Sequence, residues 1–500
     1  MFPNPRCMWP DLRHVSRTFR NMLRAFGNMS PNPRCMLPNL CHILRTPGNT
    51  SRDLGNTLLT FGCMFPNLRC MFPDSLRMFP NPIPQAGAAG RRGAEPGGDL
   101  PPRKGKALKC RRRIETPETM AREAYILGAV RTPIGKRGGS LKDTRADDLA
   151  ATVLRELVTR ARVDAAEVED VILGCNTQMD EQGLNVARVS ALVAGFPETV
   201  PGTSVNRMCG SGQQAVNFGA QGVIAGTYDL MIGGGVENMS RVPMGSDMGV
   251  LNEKLLARYE IVPQGISADL IADKYGVTRE QMDAFSFESH MRAIRAIDEG
   301  RFRRETVPVP VKDEEGNPRL FDTDEHPRRN TSFEKLAALK PAFKPDGRIT
   351  AGNSSGINDG AAAVLVGTKE KAKALGLEPR ARIVSMAVAG VDPVVMLDGP
   401  IPVSRKALKR AGLVVEDIDL WEINEAFASV VVAVTKTLGI DPAKVNVNGG
   451  AVALGHPLGA SGARLLTTLL HEMERRDLRY GLSTLCIGFG QGIATILERS

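Results

Sequence analysis

Three short segments, far apart in the chain, carry residue types suited to nucleophilic and acid–base chemistry. Cys209 lies in Asn-Arg-Met-Cys-Gly-Ser-Gly, His456 in Gly-His-Pro and Cys486 in Cys-Ile-Gly. The glycines leave room for a substrate and expose backbone N–H groups. A cysteine at a strand-to-helix turn suits a thiolate, because a helix N-terminus favours negative charge. A lone cysteine is more often a small buried hydrophobic residue, so the prediction rests on the three segments together.

The charge of the chain is divided unevenly. Residues 1–119 hold 19 Lys and Arg against 7 Asp and Glu, a net of +12, whereas the whole chain carries +9. The rest of the chain is therefore slightly acidic and gives no reason to expect a nucleic-acid partner.

Cysteine usage follows the same division. Six of the nine cysteines precede Met120, and only Cys175, Cys209 and Cys486 follow it. Three cysteines are too few to form a disulfide framework in this part of the chain. Their number is typical of a protein in a reducing compartment. No apolar run reaches the ~20 residues of a membrane span. We predict a cytoplasmic protein without a membrane span, or an organellar one if the N-terminal segment is a targeting peptide.

The N-terminal segment is repetitive. Pro-Asn-Pro-Arg-Cys-Met occurs at 3–8 and again at 31–36, and residues 84–113 are rich in Gly, Pro and Arg. Such composition is typical of disorder. Three explanations of this segment are open. It is a targeting peptide, or it is a metal or nucleic-acid module, although the usual pairing of Cys and His residues is missing. The third is that upstream sequence has been read as protein and the natural start is Met120. We favour the third explanation and predict residues 1–119 to be a disordered basic extension.

Deletion of residues 1–119 is expected to leave a folded protein with unchanged turnover. Their composition cannot bury enough apolar surface to offset chain entropy, and the candidate catalytic residues all follow them. Turnover and melting temperature of the full-length and truncated proteins test this expectation. A truncated protein that fails to fold or loses activity would contradict it, and N-terminal sequencing of the native protein distinguishes an unprocessed Met1 from a processed start.

From Glu123 onwards, short apolar runs alternate with helical patterns. Residues 124–130 and 168–175 are predicted strands, and residues 147–163 carry apolar side chains at helical spacing. This alternation is typical of α/β proteins with layered sheets and covering helices. About 380 residues exceed one ordinary core, so we expect at least two.

Two stretches of this region resemble each other. Residues 168–173 (Val-Glu-Asp-Val-Ile-Leu) match 415–420 (Val-Glu-Asp-Ile-Asp-Leu), and their Asp residues precede Cys209 and His456, respectively, by 39 positions. We interpret the match as a duplicated half. Duplication would place Cys209 and His456 at equivalent turns facing one cleft.

Five ordered motifs resemble those of the thiolase family, across essentially all of residues 120–500. They are the nucleophile segment 208–212, the coenzyme A-side motif 353–361 (Asn-Ser-Ser-Gly-Ile-Asn-Asp-Gly-Ala), and the loops 424–427 (Asn-Glu-Ala-Phe), 455–457 and 486–488. The resemblance implies a thiolase fold: α/β, with duplicated halves forming a five-layered αβαβα sandwich and an inserted loop domain. It also implies a homodimer or homotetramer.

The domain boundaries follow from this resemblance. We expect the N-terminal half at 120–379, with the loop domain at about 242–351, and the C-terminal half at 380–500.

The resemblance also implies roles for the active-site residues. Cys209, activated by His456, takes the acyl group as a thioester, while Cys486 protonates the departing carbanion and helps deprotonate the incoming coenzyme A. A thiol suits both proton transfers because its pKa near 8.5 is easily tuned toward neutral. His456 and a water held by Asn424 form the first oxyanion hole. The backbone N–H groups of Cys209 and Gly488 form the second.

Four further residues are expected on the coenzyme A side. Ser355 and Gly356 line the pantetheine tunnel, and Phe427 contacts the bound substrate. Arg328 meets the adenine nucleotide, with the neighbouring Arg329 as the alternative. A solvated basic loop is the other interpretation of both arginines.

Two departures from the family bear on the substrate. Members of the family often carry three consecutive glycines in the last loop, whereas Phe489 stands in the middle of this run here. Phe489 either narrows the pocket or packs beneath it. Residues 263–269 (Pro-Gln-Gly-Ile-Ser-Ala-Asp) lack the His-Met pair of acetoacetyl-specific relatives. The chain therefore looks like a degradative 3-ketoacyl-CoA thiolase acting on longer, branched or ring-bearing acyl groups in fatty-acid or related breakdown. An acetoacetyl-CoA-forming acetyl-CoA C-acetyltransferase is the alternative.

Other classes fit less well. Residues 233–235 and 488–492 do not give the Gly-x-Gly-x-x-Gly of a dinucleotide site. A decarboxylating condensing enzyme is expected to have histidine in place of Cys486, and a non-catalytic lipid-binding relative does not need the whole catalytic set. We predict no metal and no cofactor, coenzyme A being a substrate. The remaining histidines of this region are interpreted as structural or solvent-facing: His290, His326 and His471.

Overall fold

The computed structural model describes residues 122–499. The repetitive N-terminal segment, and the predictions made for residues 1–119, lie outside the described residues. Between residues 122 and 499, no helix is long and apolar enough to cross a membrane.

Strands and helices alternate along the described chain, as predicted. The strands are β1 (Tyr125–Arg131), β2 (Gly135–Lys136), β3 (Val171–Gly174), β4 (Gly202–Val205), β5 (Leu230–Asn238), β6 (Val309–Lys312), β7 (Pro318–Phe321), β8 (Asn358–Gly367), β9 (Ala381–Gly390), β10 (Leu420–Ile423), β11 (Tyr480–Ile487) and β12 (Gln491–Arg499). The helices are α1 (Ala146–Ala161), α2 (Val186–Val193), α3 (Ser211–Ala225), α4 (Glu253–Leu256), α5 (Gln264–Tyr275), α6 (Arg279–Asp298), α7 (Phe333–Ala337), α8 (Lys369–Ala374), α9 (Pro400–Ala411), α10 (Ala428–Leu438), α11 (Ala451–Leu454) and α12 (Leu458–Arg476).

The main sheet has the order β4-β3-β5-β8-β1-β9-β12-β11-β10, and β2 pairs with β8. The two ends of this sheet have the same strand topology. β3 pairs in parallel with β4 and β5, and β5 runs antiparallel to β8. In the same way β10 pairs in parallel with Val445 and with β11, and β11 runs antiparallel to β12. A short antiparallel pairing of β1 with β9 joins the two ends. The shared topology confirms the predicted duplication.

The predicted register of the duplication is wrong by three residues. Val415–Asp417 forms a 3₁₀ turn shortly before β10, and its counterpart before β3 is Ala165–Glu167. The residue after each turn is buried and donates its backbone N–H to the carbonyl of the first residue of the turn. This residue is Val168 in the first half and Ile418 in the second. The two Val-Glu-Asp triplets therefore do not occupy equivalent places.

Side-chain alternation along the strands separates the helical layers. The odd-numbered residues of β8 from 361 to 365 pack with α1 and α2, and the even-numbered residues from 362 to 366 pack with α3 and α12. Successive side chains of a strand point to opposite faces, which makes this division possible. On the far side, β9 to β12 pack against α9 and α10. Helices α3 and α12 thus lie between two sheet halves, which gives five layers.

Glycines allow the central helices to approach the sheet closely. Every residue of α12 from Leu458 to Met473 is buried. A Cβ atom on Gly235 of β5 would lie 2.0 Å from the carbonyl oxygen of Gly459 at the start of α12. The three consecutive glycines of β5 are therefore explained by close packing in a strand, without a nucleotide.

The predicted loop domain falls between β5 and β8 and contains α4 to α7 and the β6–β7 hairpin. A buried guanidinium fastens it to the sheet. Arg131, at the end of β1, donates to Glu305 (2.6 Å) and to Asp324 (2.7 Å) of this segment. Charge-assisted, forked hydrogen bonds of this kind fix geometry strongly. The loop domain is thereby held where its first long helix, α5, can reach the candidate site.

Candidate active site

The candidate nucleophile lies at a tight strand-to-helix turn, as expected. After β4 the chain forms a 3₁₀ turn, Met208–Gly210, that leads directly into α3. Ser211 fastens the turn: its Oγ accepts from the Arg207 N–H (2.8 Å) and donates to the Met208 carbonyl (2.6 Å). Met208 takes a left-handed φ of 46°. This turn holds Cys209 at the N-terminus of α3, buried to 4 % exposure.

The surroundings of the Cys209 sulfur differ from the sequence-based expectation. Burial raises the pKa of the thiol to about 11, against an opposing effect of hydrogen bonds from the backbone N–H groups of Gly488 and Cys209 and from the side chain of Gln264. The pKa of this thiol is therefore raised above its ordinary value, in the direction opposite to the expected tuning toward neutral. Desolvation outweighs the helix N-terminus, and Cys209 is a neutral thiol at neutral pH.

The second thiol comes from the opposite half of the fold. Cys486 is buried near the end of β11, opposite Gly492 of β12. Burial raises the pKa of this thiol strongly, and the nearby Cys209 raises it further. Cys486 therefore holds its proton at neutral pH, close to the candidate nucleophile.

In the loop after Cys486, a side chain at position 488 would crowd the side chains of Met208 and Gln264. A Cβ atom on Gly488 would lie 2.8 Å from the Met208 sulfur and 3.1 Å from Nε2 of Gln264. The next residue, Phe489, is half-buried and has a left-handed φ of 56°. The backbone N–H of Gly488 is one of the groups that lower the pKa of the Cys209 thiol.

The histidine lies in the turn between α11 and α12. Nδ1 of His456 is 2.6 Å from Oγ of Ser461, and that hydroxyl donates to the carbonyl of Pro457 (2.8 Å). Because the Ser461 hydroxyl donates its proton to the Pro457 carbonyl, it can only accept from the ring. Nδ1 of His456 therefore carries the ring proton and donates to Ser461. The lone pair of the neutral ring is then on Nε2, 3.2 Å from the amide nitrogen of Asn424. Burial, aided by the charge of Arg464, lowers the pKa of His456 to about 3.

Ser461→Ala is expected to lower kcat while leaving KM nearly unchanged. Without the hydroxyl, the tautomer with the lone pair on Nε2 loses its fixed partner, so less of the ring is in the form that accepts a proton there. We expect a loss of about 10-fold, in the range typical of a single hydrogen bond, and Ser461→Thr to restore activity. Steady-state kinetics and the ring-nitrogen NMR shifts of His456 measure the effect; an unchanged tautomer in Ser461→Ala would contradict the assignment.

Asn424 links the histidine to the end of β10. Its backbone N–H donates to the Thr484 carbonyl of β11 (3.0 Å), and its side-chain amide lies beside the His456 ring. The amide oxygen is buried and has no hydrogen-bond partner among the described residues. A buried carbonyl-type oxygen of this kind is suited to hold a water or a substrate group.

The thiol and the ring are neighbours through the start of α12 but do not contact each other directly. Cys209 packs with Leu458, which lies two residues after His456. Within the described residues, no hydrogen bond joins the Cys209 thiol to the His456 ring. Catalytic hydrogen bonds are often long in unliganded enzymes and tighten when substrate binds.

Two of the four residues expected on the coenzyme A side, Ser355 and Phe427, lie together. The Ser355 N–H donates to the Ala426 carbonyl (3.0 Å), and Ser354 pairs with Phe427 in an antiparallel bridge. Phe427 is buried and packs edge-on against Phe343, with ring centroids 6.0 Å apart. The predicted motifs at 353–361 and 424–427 thus form one wall, although they come from opposite halves of the fold.

The remaining predicted residues, Gly356 and Arg328, border on two histidines. A Cβ atom on Gly356 would lie 2.3 Å from the His326 ring. The backbone N–H of Arg328 donates to Nδ1 of His290 (3.2 Å), and its side chain is exposed. The alternative, Arg329, pairs with Asp298. Among the described residues no carboxylate lies within ion-pair distance of Arg328, so this arginine is the better placed to meet a phosphate.

His326 was interpreted from the sequence as structural or solvent-facing, but it lies near the catalytic turn. Its Nδ1 is 3.4 Å from the amide nitrogen of Asn358, whose Oδ1 accepts the backbone N–H of His456 (3.1 Å). Burial lowers the pKa of His326 to about 4. The interpretation holds in part, since the ring is half-buried and supports this turn.

Sequence reasoning missed the residues that orient the catalytic groups. Glu237, at the end of β5, accepts the N–H groups of Asn176, Thr177 and Gly459 and so ties β3 to the start of α12. Ser461, which lies against Nδ1 of His456, was also missed, because no motif marked it. Across residues 122–499 no group of His, Cys, Asp or Glu is arranged to hold a metal ion.

Comparison with known proteins matches this architecture. The models of the thiolase N-terminal and C-terminal domains match residues 124–370 and 377–499. An acetyl-CoA acetyltransferase of Syntrophomonas wolfei is 49% identical over 76% of this chain and 100% of its own length. A 3-oxoadipyl-CoA/3-oxo-5,6-dehydrosuberyl-CoA thiolase of Escherichia coli is 47% identical over 76% of this chain and 100% of its own length. The crystal structure of the Bacillus anthracis acetyl-CoA acetyltransferase covers 76% of this chain and 99% of its own, with 43% identity and a TM-score of 0.71.

Proposed function

The chain belongs to the thiolase family of acyltransferases, and from this premise we propose that it cleaves 3-ketoacyl-CoA with coenzyme A. The products are acetyl-CoA and an acyl-CoA two carbons shorter, and the reaction proceeds through an acyl group on Cys209. One observation carries the proposal: two buried thiols from opposite halves of the fold are close enough for Cys209 to raise the pKa of Cys486, with a neutral His456 and its Asn424 partner nearby.

In the first half-reaction, the Cys209 sulfur attacks the 3-keto carbon while its proton passes to Nε2 of His456. The bond between C2 and C3 then breaks, leaving the acyl group on Cys209 as a thioester. The electron pair remains on C2 of the acetyl-CoA fragment, which takes the proton of the Cys486 thiol. The raised pKa of Cys486 supports this role, because an acid must still hold its proton when the carbanion forms.

In the second half-reaction, the Cys486 thiolate removes the proton of the coenzyme A thiol. The new thiolate attacks the acyl carbon, a carbon–sulfur bond forms, and the bond to Cys209 breaks. The Cys209 sulfur recovers its proton from the His456 imidazolium. Both thiols and the histidine thus return to the neutral forms in which the cycle began, and their shifted pKa values favour these forms.

Two sets of hydrogen-bond donors stabilise the oxyanions that form in these steps. The backbone N–H groups of Cys209 and Gly488, which lower the pKa of the Cys209 thiol, donate to the thioester oxygen once the sulfur is acylated. His456, protonated on Nε2, and a water on the free amide oxygen of Asn424 are placed to receive the thioester oxygen of the acetyl-CoA enolate. Loss of one such donor typically raises the barrier by ~3–4 kcal/mol.

The substrate is the open part of this proposal. The relatives named above act, by their names, on acetyl-CoA and on 3-oxoadipyl-CoA and a dehydrosuberyl analogue, so the family alone does not choose between short and long acyl groups. In this chain Gln264 occupies the segment where acetoacetyl-specific relatives often carry His-Met. This feature favours a degradative enzyme for longer, branched or ring-bearing acyl groups over the alternative, formation of acetoacetyl-CoA.

A thiolysis assay tests the proposal. The rate of loss of 3-ketoacyl-CoA in the presence of coenzyme A is measured for acetoacetyl-CoA and for substrates of increasing length. We expect kcat/KM to increase beyond the four-carbon substrate. A maximum at acetoacetyl-CoA would favour the acetyltransferase alternative, and absence of thiolysis with every substrate would overturn the proposed function.

A further inference from the structure

The side chain of Asn358 lies against the turn that carries His456, although the two residues belong to opposite halves of the fold. Asn358 is the first residue of β8 and is fully buried. Its Oδ1 accepts the backbone N–H of His456 (3.1 Å), and its Nδ2 donates to the carbonyl of Gly135 in β2 (2.9 Å). One carboxamide of the N-terminal half therefore joins the histidine to the sheet.

These two hydrogen bonds fix the orientation of the carboxamide. The backbone of His456 offers only a donor at this point, and the Gly135 carbonyl is only an acceptor, so a flipped amide would set donor against donor and acceptor against acceptor. Nδ2 also lies 3.4 Å from Nδ1 of His326, which comes from the loop domain. The amide thus contacts three segments of the chain that are distant in sequence.

Two glycines make room for this carboxamide. A Cβ atom on Gly455 would lie 2.3 Å from Cγ of Asn358, and Gly455 has a φ of 108°. A Cβ atom on Gly356 would lie 2.7 Å from Oδ1 of Asn358. The peptide between Gly455 and His456 therefore packs directly on the amide, and this close approach requires glycine at 455.

We propose that Asn358 is a positioning residue, whose carboxamide oxygen holds the backbone N–H of His456 and so sets the place of the imidazole relative to Cys209. The effect on turnover rests on the proposed function, whereas the hydrogen bond is a property of the free protein. This role differs from the one expected for the motif 353–361, which the family resemblance places on the coenzyme A side.

The backbone and the ring of His456 have different partners. Ser461 lies against the ring at Nδ1, and among residues 122–499 only Asn358 accepts the backbone N–H. Without Asn358 this buried N–H would be unpaired, which costs free energy that a movement of the turn relieves. Because a displacement of about 1 Å can cost about 100-fold in rate, even a small movement should lower kcat.

The test compares Asn358→Leu with the unaltered full-length protein. Leu is similar in size but has neither donor nor acceptor. Thiolysis kinetics are measured, and backbone hydrogen exchange of a peptide that contains residues 455–458 is followed by mass spectrometry without substrate. Asn217→Leu is the matched control, because Asn217 of α3 is also buried and its Oδ1 accepts the Thr495 hydroxyl (2.8 Å) rather than a group of the His456 turn.

We expect kcat of Asn358→Leu to be about 10- to 100-fold lower, with KM for coenzyme A nearly unchanged and faster exchange at 455–458. Asn217→Leu should lower the melting temperature but change neither kcat nor this exchange. Unchanged exchange at 455–458 in Asn358→Leu would overturn the proposal. A raised KM for coenzyme A at unchanged kcat would also overturn it, because Asn358 would then serve coenzyme A binding.

Asn358→Asp is a second test, which decides the question even if Asn358→Leu fails to fold. The carboxyl group keeps an oxygen for the His456 N–H, and while protonated it can also donate to the Gly135 carbonyl. Burial favours the protonated form, whereas ionisation sets an oxygen against that carbonyl. We expect exchange at 455–458 to match the unaltered protein at pH 6, and kcat relative to the unaltered protein to fall toward pH 9. Fast exchange at pH 6 would contradict the proposal.

The titratable groups around this position do not produce such a profile themselves. His326 and His456 are neutral at pH 6, because burial lowers their pKa to about 4 and about 3. Burial raises the pKa of Asp359, which accepts from Ser240, to about 6, but Asp359 titrates in both proteins and cancels in the ratio. Lys136, opposite Asn358 in β2, is exposed, and solvent screens its charge.

Hydrogen exchange also separates this inference from the proposed function. It needs no substrate, so the hydrogen bond is tested even if no 3-ketoacyl-CoA is cleaved. Conversely, unchanged exchange in Asn358→Leu of a protein that performs thiolysis would reject the role of Asn358 and leave the proposed function standing.

Discussion

Cys209→Ala is expected to abolish thiolysis, with a loss of kcat on the order of 10⁴-fold or more. Without the sulfur no acyl-enzyme forms, and the N–H groups of Gly488 and residue 209 can only bind the substrate. Steady-state kinetics measure the loss. Incubation of the unaltered protein with an acyl donor, followed by peptide mass mapping, should place the acyl group on the Cys209 peptide.

Cys175→Ala is the matched control for this substitution. Cys175 is also a buried thiol and directly follows β3, but its sulfur lies against the Thr177 carbonyl at 3.9 Å, and the proposed chemistry does not use it. We expect unchanged kcat and unchanged acylation in this variant. An acyl group found on Cys175 or Cys486, or substantial turnover by Cys209→Ala, would show that another group is the nucleophile.

Cys486→Ala is expected to separate the two halves of the reaction. The variant should still accept an acetyl group from acetyl-CoA on Cys209, because His456 remains, but more slowly than the unaltered protein, because Cys486 no longer supplies a proton to the departing coenzyme A thiolate. It should fail to exchange the α-protons of acetyl-CoA with solvent, because the buried thiol that carries the proton is gone. Thiolysis should fall by about 10²- to 10⁴-fold, the usual contribution of a general acid or base.

Acylation is followed by mass analysis of the Cys209 peptide and proton exchange by NMR in deuterated buffer. The acylation measurement is an internal control, since it shows that the variant is folded and binds its substrate. Proton exchange at the rate of the unaltered protein would identify a different acid–base group. Loss of both activities would contradict the division of roles between the two thiols.

The fold and the members of the site could be predicted from sequence to a large extent. Apolar runs and helical spacing predicted β1 and α1 within one or two residues, and the strand at 168–175 was found but is shorter, at Val171–Gly174. The family motifs marked the loops that contain Cys209, His456 and Cys486. These signals are local, because the period of a strand or helix and the residues of a turn are written in consecutive positions.

The internal duplication shows where a local signal fails. Sequence similarity pointed to two related halves, and the shared strand topology confirms them. The matched triplets nevertheless lie three residues out of register, because Val415–Asp417 corresponds to Ala165–Glu167. Short letter matches do not specify which backbone turns are equivalent, whereas strand pairing does.

The sequence by itself determined the α/β architecture, the reactive residue types and the glycines that bring backbone N–H groups to them. Only the tertiary structure decided how those groups behave. Burial keeps Cys209 a neutral thiol with a pKa of about 11, Ser461 sets the tautomer of His456, and the loop domain brings Gln264 next to Gly488. The reason is physical: desolvation and hydrogen bonding depend on atoms that fold in from distant segments, and no local pattern of residues records which atoms those are.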